Sequence, residues 1–436
     1  MDPSKSTISV FGEHEDRVID QLHRCVGQEE GSHGVLCADG HLGYSAPIGG
    51  VVAYRQHVSP AAVGYDIGCG NLAVATDVLD GDEFRAALPG LMDRISSEVS
   101  FGMGRNDGGV KDHPVFDDIA VAEFEPQRKL LPAARRQLGT VGAGNHYVDL
   151  FVDETGRVWI GVHFGSRGFG HKTASGFLAM AKGLPFEGRA PEGEMEAPPD
   201  VLRVDSALGG AYMAAMELAG RYAYAGREVV VDQVLGILGA RPSGERVHNH
   251  HNFAWQEAHG GETFYVVRKG ATPAFPGQRG FVGATMGEPA VILEGVDSEE
   301  ALRGLRSTVH GAGRAMSRTA AAGKTRKRWT CDTRDCSWVQ PPRSHRPRAC
   351  PECGSAKMTK RWVKQSQGAI DWKSVLDDLH SKRIELRGGN AEEAPGAYKR
   401  LDDVLAYHAG TVRVLHRLTP VGVAMAPGHT RDDYKD

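Results

Sequence analysis

The stretch Tyr65-Asp66-Ile67-Gly68-Cys69-Gly70-Asn71 sets a carboxylate and a thiolate three residues apart. Gly68 and Gly70 leave the sulfur uncrowded, and a helix does not carry glycine at this density. The stretch reads as a tight loop feeding a strand, Leu72-Ala73-Val74-Ala75. Such a loop can deliver a hard oxygen and a soft sulfur to one divalent cation. A turn around a buried structural cysteine is the plainer alternative. Three more apolar-strand-then-loop segments each present a histidine: His146 in Gly142-Ala143-Gly144-Asn145-His146-Tyr147, His163 at the end of Val158-Trp159-Ile160-Gly161-Val162-His163, and His251 in Val247-His248-Asn249-His250-His251-Asn252-Phe253. Asp66, Cys69, His146, His163 and His251 are five candidate metal ligands. One ion would be crowded by them, whereas two ions bridged by the Cys69 thiolate would share them. Paired cations suit phosphoryl chemistry, where they hold the attacking and leaving oxygens.

His310 heads His310-Gly311-Ala312-Gly313-Arg314. Two glycines let a phosphate approach backbone N–H groups, and Arg314 can pair with its oxygens. A histidine there can attack phosphorus and form a phosphoramidate; the alternative is a turn capping a helix that begins near Ala315. Cys331 and Cys336 are separated from Cys350 and Cys353 by thirteen residues, and the second pair lies in Cys350-Pro351-Glu352-Cys353-Gly354. That is the layout of a zinc ribbon, closed by four thiolates and therefore structural. Between Arg318 and Lys364 there are thirteen Lys/Arg against three Asp/Glu, with three of the six tryptophans (Trp329, Trp338, Trp362). The shift in composition marks an inserted basic module. Contact with RNA backbone and stacked bases is one reading of it; a solvated surface is the other.

At 436 residues, 41% of them apolar, the chain can bury a large core and hold two or three domains. A net charge of −4 argues against bulk coating of nucleic acid and leaves local patches open. No apolar run follows Met1, and no segment is apolar for long enough to span a membrane. A cytoplasmic location is expected, with the seven cysteines reduced or metal-bound.

The elements that must position these residues follow from periodicity. Helices are expected over 16–25, 80–99, 130–138, 372–380 and 397–405, and after Ser206, which can cap a helix with Tyr212, Met216, Ala219 and Ala223 on its core face. Strands are expected near 35–38, 47–53, 148–152, 158–163, 263–267, 290–293 and 421–425. Asp39 and His41 alternate and would point the same way, as a pair supporting the metal site or as an ordinary Asx turn. Residues 164–171 and 280–287 read as glycine loops, and 185–199 as a surface loop.

Taken together, eight segments resemble the RtcB RNA-splicing ligase family: 38–53 (ADGHLGYSAPIGGVVA), 64–71 (GYDIGCGN), 142–150 (GAGNHYVDL), 162–171 (VHFGSRGFGH), 250–253 (HHNF), 268–271 (RKGA), 310–318 (HGAGRAMSR) and 394–399 (APGAYK). They run in the family's order over nearly the whole chain outside the four-cysteine module. The resemblance implies a compact α+β fold with mixed sheets and flanking helices. Residues 1–323 and 365–436 would form the catalytic core, and 324–364 an inserted zinc ribbon. It implies a ligase joining RNA 2′,3′-cyclic-phosphate or 3′-phosphate ends to 5′-hydroxyl ends, in RNA repair or tRNA splicing, with GTP and two Mn²⁺ as well as the structural Zn²⁺. Asp66, Cys69 and His146 would hold one ion; Cys69, His163 and His251 would hold the other. His310 would be guanylylated. Asn145, His146, Tyr147, Asp149, His251, Asn252, Gly283, Ala284, Thr285, Met286, Gly311, Ala312, Gly313 and Tyr398 would surround the nucleotide, and Arg167, Arg268, Lys269 and Arg314 would contact phosphate or RNA. Broken tRNA or rRNA would be the partner, with no membrane.

Three departures accompany the resemblance. The family's terminal strand commonly runs into a lysine-glycine pair, where this chain has Ala424-Met425-Ala426-Pro427-Gly428. Its Pro-Gly-Ser-Met-Gly loop stands here as Gly283-Ala284-Thr285-Met286-Gly287, with Ala290 at a later serine position. Its simpler members lack the ribbon. Two rival readings therefore stand beside the ligase: a metal-dependent RNA-end phosphatase or cyclic phosphodiesterase, and an RNA-binding factor using the ribbon.

Overall fold

A computed structural model describes residues 6–104, 110, 112–188, 195–341, 344–345, 347–428, 430 and 433. Its class is α+β, built on two mixed sheets. The larger sheet runs in the order Arg279–Val282, Ala290–Gly295, Val412–Pro427, Tyr147–Val152, Arg157–Phe164, Gly70–Leu79, Pro242–His250, and Glu385–Gly389 adds in parallel to Val412–Pro427. The smaller sheet runs Thr7–Val10, His33–His41, Ile48–Tyr54, Glu262–Lys269, Asn252–His259. The chain passes from one sheet to the other at His251, the single residue between Pro242–His250 and Asn252–His259.

Period-two alternation sorts the large sheet's side chains into two cores. Leu72 and Val74, with Val148, Leu150, Ile160 and Val162, pack on Phe84, Met92 and Ile95 of the helix Asp82–Glu98 and on Val230 and Val234 of the helix Ala207–Leu238. Ala73, Ala75, Tyr147, Phe151 and Trp159 face the other way, against Phe281, Ile292, Leu379 and Leu418. Tyr147, Asp149 and Phe151 thus share a face, and the one acidic residue among them is turned toward the site by the strand's own period. The Ser206 hydroxyl accepts from Gly209 N–H at 3.0 Å, and Tyr212, Met216, Ala219 and Ala223 are buried, as their spacing predicts.

Residues 164–171 do not stay a loop. A helix begins at Arg167 and runs to Ala181, and Gly168 and Gly170 sit in its first turns. Gly170 is required there, because a Cβ would fall 1.8 Å from Ser166 Oγ. The 280–287 loop gives up its first residues to Arg279–Val282, which pairs with Ala290–Gly295. Nothing helical starts at Ala315. Its N–H donates to Ala397 O, the chain bends at Ala315 and Met316, and the helix waits for the Ser317 cap before running Arg318–Ala322. The expected 397–405 helix is a short turn, Pro395–Ala397, followed by Leu401–Ala406. Part of the 185–199 stretch (189–194) lies outside the described residues. The segment rich in cations forms a two-stranded antiparallel hairpin, Gly323–Cys331 with Met358–Gln367. Among the described residues no helix is long and apolar enough to cross a membrane.

Candidate active site and metal centre

Sheet register delivers the ligands. Tyr147 pairs with His163, His163 with Asn71, and Gly70 with His250. His146, His163, Cys69 and His251 therefore stand at one end of four neighbouring strands, and His251 N–H donates to Cys69 O at 2.9 Å. Cys69 Sγ lies 3.8 Å from His146 Nε2 and 3.9 Å from His163 Nε2. These three donor atoms all fall within 4.8 Å of one another. Asp66 comes up from the loop below, its Oδ2 3.4 Å from His146 Nε2 and its Oδ1 accepting from Ser166 N–H. Gly165 makes room for that carboxylate; a Cβ there would lie 2.3 Å from Oδ1. The rings of His163 and His251 follow at 5.2 Å between centroids, and those of His251 and His310 at 5.0 Å.

His146 Nδ1 lies between an acceptor, Val141 O at 2.9 Å, and a donor, Arg167 Nη1 at 3.1 Å, and its Nε2 faces Cys69. Asn71 Nδ2 donates to Phe281 O, so its Oδ1 accepts from His163 Nδ1 at 2.7 Å and leaves His163 Nε2 with its lone pair toward Cys69. Burial, then neighbouring histidines, push His163 and His251 well below the ordinary imidazole range. Neutral imidazoles are what a cation binds. Burial alone would raise the Asp66 carboxyl, yet His146 and Arg167 hold it below its usual value. Asp66 Oδ2 and His251 Nδ1 are buried without a hydrogen-bond partner. Partnerless polar atoms beside a thiol and the Nε2 atoms of two imidazoles are the donor set of a divalent-cation site.

Asp39 is not a support for these ligands. Its Oδ2 accepts from His310 N–H at 2.9 Å, Gly311 N–H at 3.3 Å and His310 Nδ1 at 2.6 Å. Burial alone would raise this fully buried carboxyl, but the His310 imidazole and backbone N–H hold it below its usual value. It fixes the His310 tautomer with Nε2 free. His41 turns instead to Asp39 O at 3.1 Å. Gly313 closes the same junction at φ +74°, where a Cβ would lie 2.2 Å from Asp39 O.

A cleft of about 1260 Å³ opens over this row. Cys69, His163, His251 and His310 line it, with Asn145, Tyr147, Asp149, Asn252, Lys269, Gly283, Ala284, Thr285, Met286, Gly311, Ala312, Gly313, Arg314 and Tyr398. Asp66 and His146 lie beneath its floor. Tyr147 Oη, Asp149 Oδ1 and Thr285 Oγ1 are buried without partners, and Val423 and Met425 stand beside Asp149. Burial raises the Asp149 carboxyl well above its usual range against a bond from Ala424 N–H. A polar ligand would satisfy these atoms. Asn252 is already engaged: its Oδ1 accepts from Gly270 N–H and its Nδ2 donates to Asp66 O.

The four cations expected at phosphate sit differently. Arg268 is fully buried, bidentate to Glu257 at 2.6 and 3.0 Å and donating to Ser307 Oγ and Leu305 O. It holds the fold, because a strand's period turns it inward. Arg167 is 2% exposed, at φ +53°, with Nη1 3.1 Å from His146 Nδ1. Its guanidinium props the His146 ring. Lys269 Nζ donates to the carbonyls of Tyr44, Ala46 and Ala61 at the cleft wall. Arg314 pairs with Glu393 at 3.1 Å, donates to Tyr398 Oη, and lies 4.7 Å over that ring. Sequence reasoning missed Asn71 and Glu393. Asn71 was visible beside Cys69, but its partner His163 lies 92 residues on; Glu393 carried no motif.

The Arg268 pair gives a stability test. Arg268→Met leaves Glu257, 7% exposed, with His259 Nε2 at 2.9 Å as its remaining ion-pair partner, and should cost up to about 3–5 kcal/mol. Adding Glu257→Leu should recover most of it. Denaturant melts of the two variants check this.

In the four-cysteine cluster, Cys331 Sγ lies 3.5 Å from Cys353 Sγ and Cys336 Sγ 3.6 Å from Cys350 Sγ, and no pair is a disulfide. Tetrahedral thiolates at about 2.3 Å from zinc would stand about 3.8 Å apart. Hydrogen bonds from the Ser355 backbone and Cys331 bring Cys353 down to about 6. Trp338 is buried against Cys331 and Cys350, so it packs the knuckle instead of facing a base.

The family described as tRNA-splicing ligase RtcB matches residues 29–124 and 117–339. RNA-splicing ligase RtcB of Escherichia coli strain K12 is 32% identical over 317 residues, covering 66% of this chain and 75% of that protein. tRNA-splicing ligase RtcB of Thermococcus kodakarensis is 29% identical over 483 residues, covering 90% and 87%. RNA-splicing ligase RtcB of Mycobacterium tuberculosis is 28% identical over 456 residues, covering 88% and 94%. The matched residues contain all five metal-ligand candidates, Asp39 and His310, and on that ground the chain belongs to the RtcB family.

Proposed function

We propose that this protein is an RNA ligase that joins a 3′-phosphate end to a 5′-hydroxyl end through a guanylylated His310. The observation carrying the reading is the Asp39–His310 pair set 5.0 Å, ring to ring, from the last imidazole of the metal row. Cys69 with Asp66 and His146, and Cys69 with His163 and His251, would hold two Mn²⁺. Such ions, when bound, neutralise charge on phosphate oxygens. Asp39 keeps the proton on His310 Nδ1, which leaves Nε2 to attack the α-phosphorus of GTP. A phosphorus–nitrogen bond forms as pyrophosphate leaves. An oxygen of the RNA 3′-phosphate then takes the guanylyl group, and the nitrogen is released. The 5′-hydroxyl of the second end attacks the RNA phosphorus, GMP leaves, and a 3′,5′-phosphodiester remains. A 2′,3′-cyclic phosphate would first be opened by water. Tyr147, Asp149 and Thr285 offer their unpartnered polar atoms to the nucleotide. Broken tRNA and rRNA are the substrates proposed, and an intracellular, RNA-accessible site of action goes with them.

The test is direct. Purified protein with Mn²⁺ and GTP is offered an RNA 3′-phosphate and an RNA 5′-hydroxyl. Joined product that requires GTP supports the proposal. Release of end phosphate without joining selects the phosphatase reading. Elemental analysis should find one tightly held zinc and up to about two exchangeable ions per chain. Asp39→Asn should lower the joining rate by roughly 10²–10⁴-fold, because the proton on Nδ1 is no longer fixed by a carboxylate. The melting temperature of that variant should move far less, and a rate within threefold of the parent would show that Asp39 is only structural.

A further inference from the structure

We infer that the hairpin Gly323–Cys331/Met358–Gln367 is a docking arm for the phosphate backbone of a structured RNA, gripping the RNA body while its end lies at His310. The inference rests on the ligase reading for its substrate class, and its grounds are separate.

The first ground is placement. Arg314 and Ser317 line the rim of the cleft, and the helix Arg318–Ala322 leads from that rim into Gly323 with no residue between. Ala369 N–H donates to Ala320 O and Ile370 N–H to Ala321 O, so the returning strand is tied down at the same point. Strands of nine and ten residues reach roughly 30 Å from there at ~3.3 Å per residue. An RNA whose terminus enters the cleft over Arg314 and Ser317 passes the arm's root.

The second ground is charge. Lys324, Arg326, Lys360 and Lys364 are exposed, and none is in an ion pair with a described residue. Arg361, between them, is matched by Asp332 at 2.6 Å. The segment Arg318–Lys364 holds thirteen cations against three anions, in a chain whose net charge is −4. The rest of the molecule is therefore acidic. A polyanion would be repelled by most of the surface and held here.

The third ground is stiffness. A lone two-stranded hairpin is marginal in water. Here the four cysteines close the far end, and Trp338 packs inside them. Exposed lysines and arginines on a rigid rod read backbone shape, with little information about bases. The partner is thus a folded RNA, recognised by its phosphate track.

The experiment uses the full-length, metal-loaded protein and K324E/R326E/K360E/K364E, with the four glutamine replacements as a second variant. The probes are a stem-loop RNA with a 3′-phosphate tail and a pair of short single-stranded ends that reach only the cleft. In the variants the stem-loop should bind at least tenfold more weakly at about 0.1 M salt, and the log–log salt slope should flatten by about three. Joining of the short ends should stay within twofold, and zinc should stay at one per chain. Unchanged affinity and slope for the stem-loop, in both variants, would overturn the arm. Failure of the parent to join either RNA would instead count against the ligase reading, since the binding comparison needs no catalysis.

Discussion

His310→Ala is expected to form no covalent adduct with labelled GTP and to lose joining of 3′-phosphate RNA on the order of 10⁴-fold or more. The loss should be chemical, because the loop does not depend on the imidazole alone. Asp39 Oδ2 also accepts from the N–H groups of residues 310 and 311, and both bonds survive truncation. The melting temperature should therefore change little. The variant should still seal an RNA whose 3′-phosphate already carries GMP, since His310 has finished its part by then. An adduct that persists in His310→Ala would put the attacking nitrogen elsewhere; His251, with its ring 5.0 Å away, would be the next residue to replace.

Cys69→Ala should have the second-largest effect. In the proposed two-ion site the Cys69 sulfur would be the shared ligand, with His146 Nε2 at 3.8 Å and His163 Nε2 at 3.9 Å. Its removal leaves one set with Asp66 and His146 and the other with His163 and His251, two ligands each. Exchangeable metal should fall to well under one per chain after dialysis, and joining should fall by roughly 10³-fold or more. The ribbon zinc should stay at one, which makes it an internal standard in the same elemental measurement. Two ions retained without Cys69 would mean that the sulfur does not bridge.

The site was legible in the sequence because its residues close apolar strands. Each of Cys69, His146, His163 and His251 abuts a run whose period-two pattern is strong, and neighbouring strand ends in one sheet share an edge. Partnership was harder to read. Alternation of Asp39 with His41 suggests a local pair, either supporting the metals or forming an Asx turn. Asp39 belongs to a residue 271 positions away, and no local pattern records that. The cations divide: Lys269 and Arg314 line the cleft, whereas Arg268 is fully buried. Arg268 and Lys269 end a strand, and being last on a strand does not say which way a long side chain turns. Arg268 went inward to Glu257, 11 residues back across a hairpin whose register sets Arg268 against Phe253. Helix starts were misjudged where a tertiary bond overrode local preference, as at Ala315, whose N–H is taken by Ala397 O. The helix at Arg167 is masked in the sequence by its glycines, of which Gly170 packs against Ser166.

His251 has a second consequence beyond its nitrogen. It is the only residue between a strand of the larger sheet and a strand of the smaller one, so it is also the seam of the molecule. An ion gripped there would act as a rivet: any slippage of one sheet past the other would have to break a coordination bond. Affinity for that ion and mechanical coherence of the two halves would then be one free energy, seen from two ends.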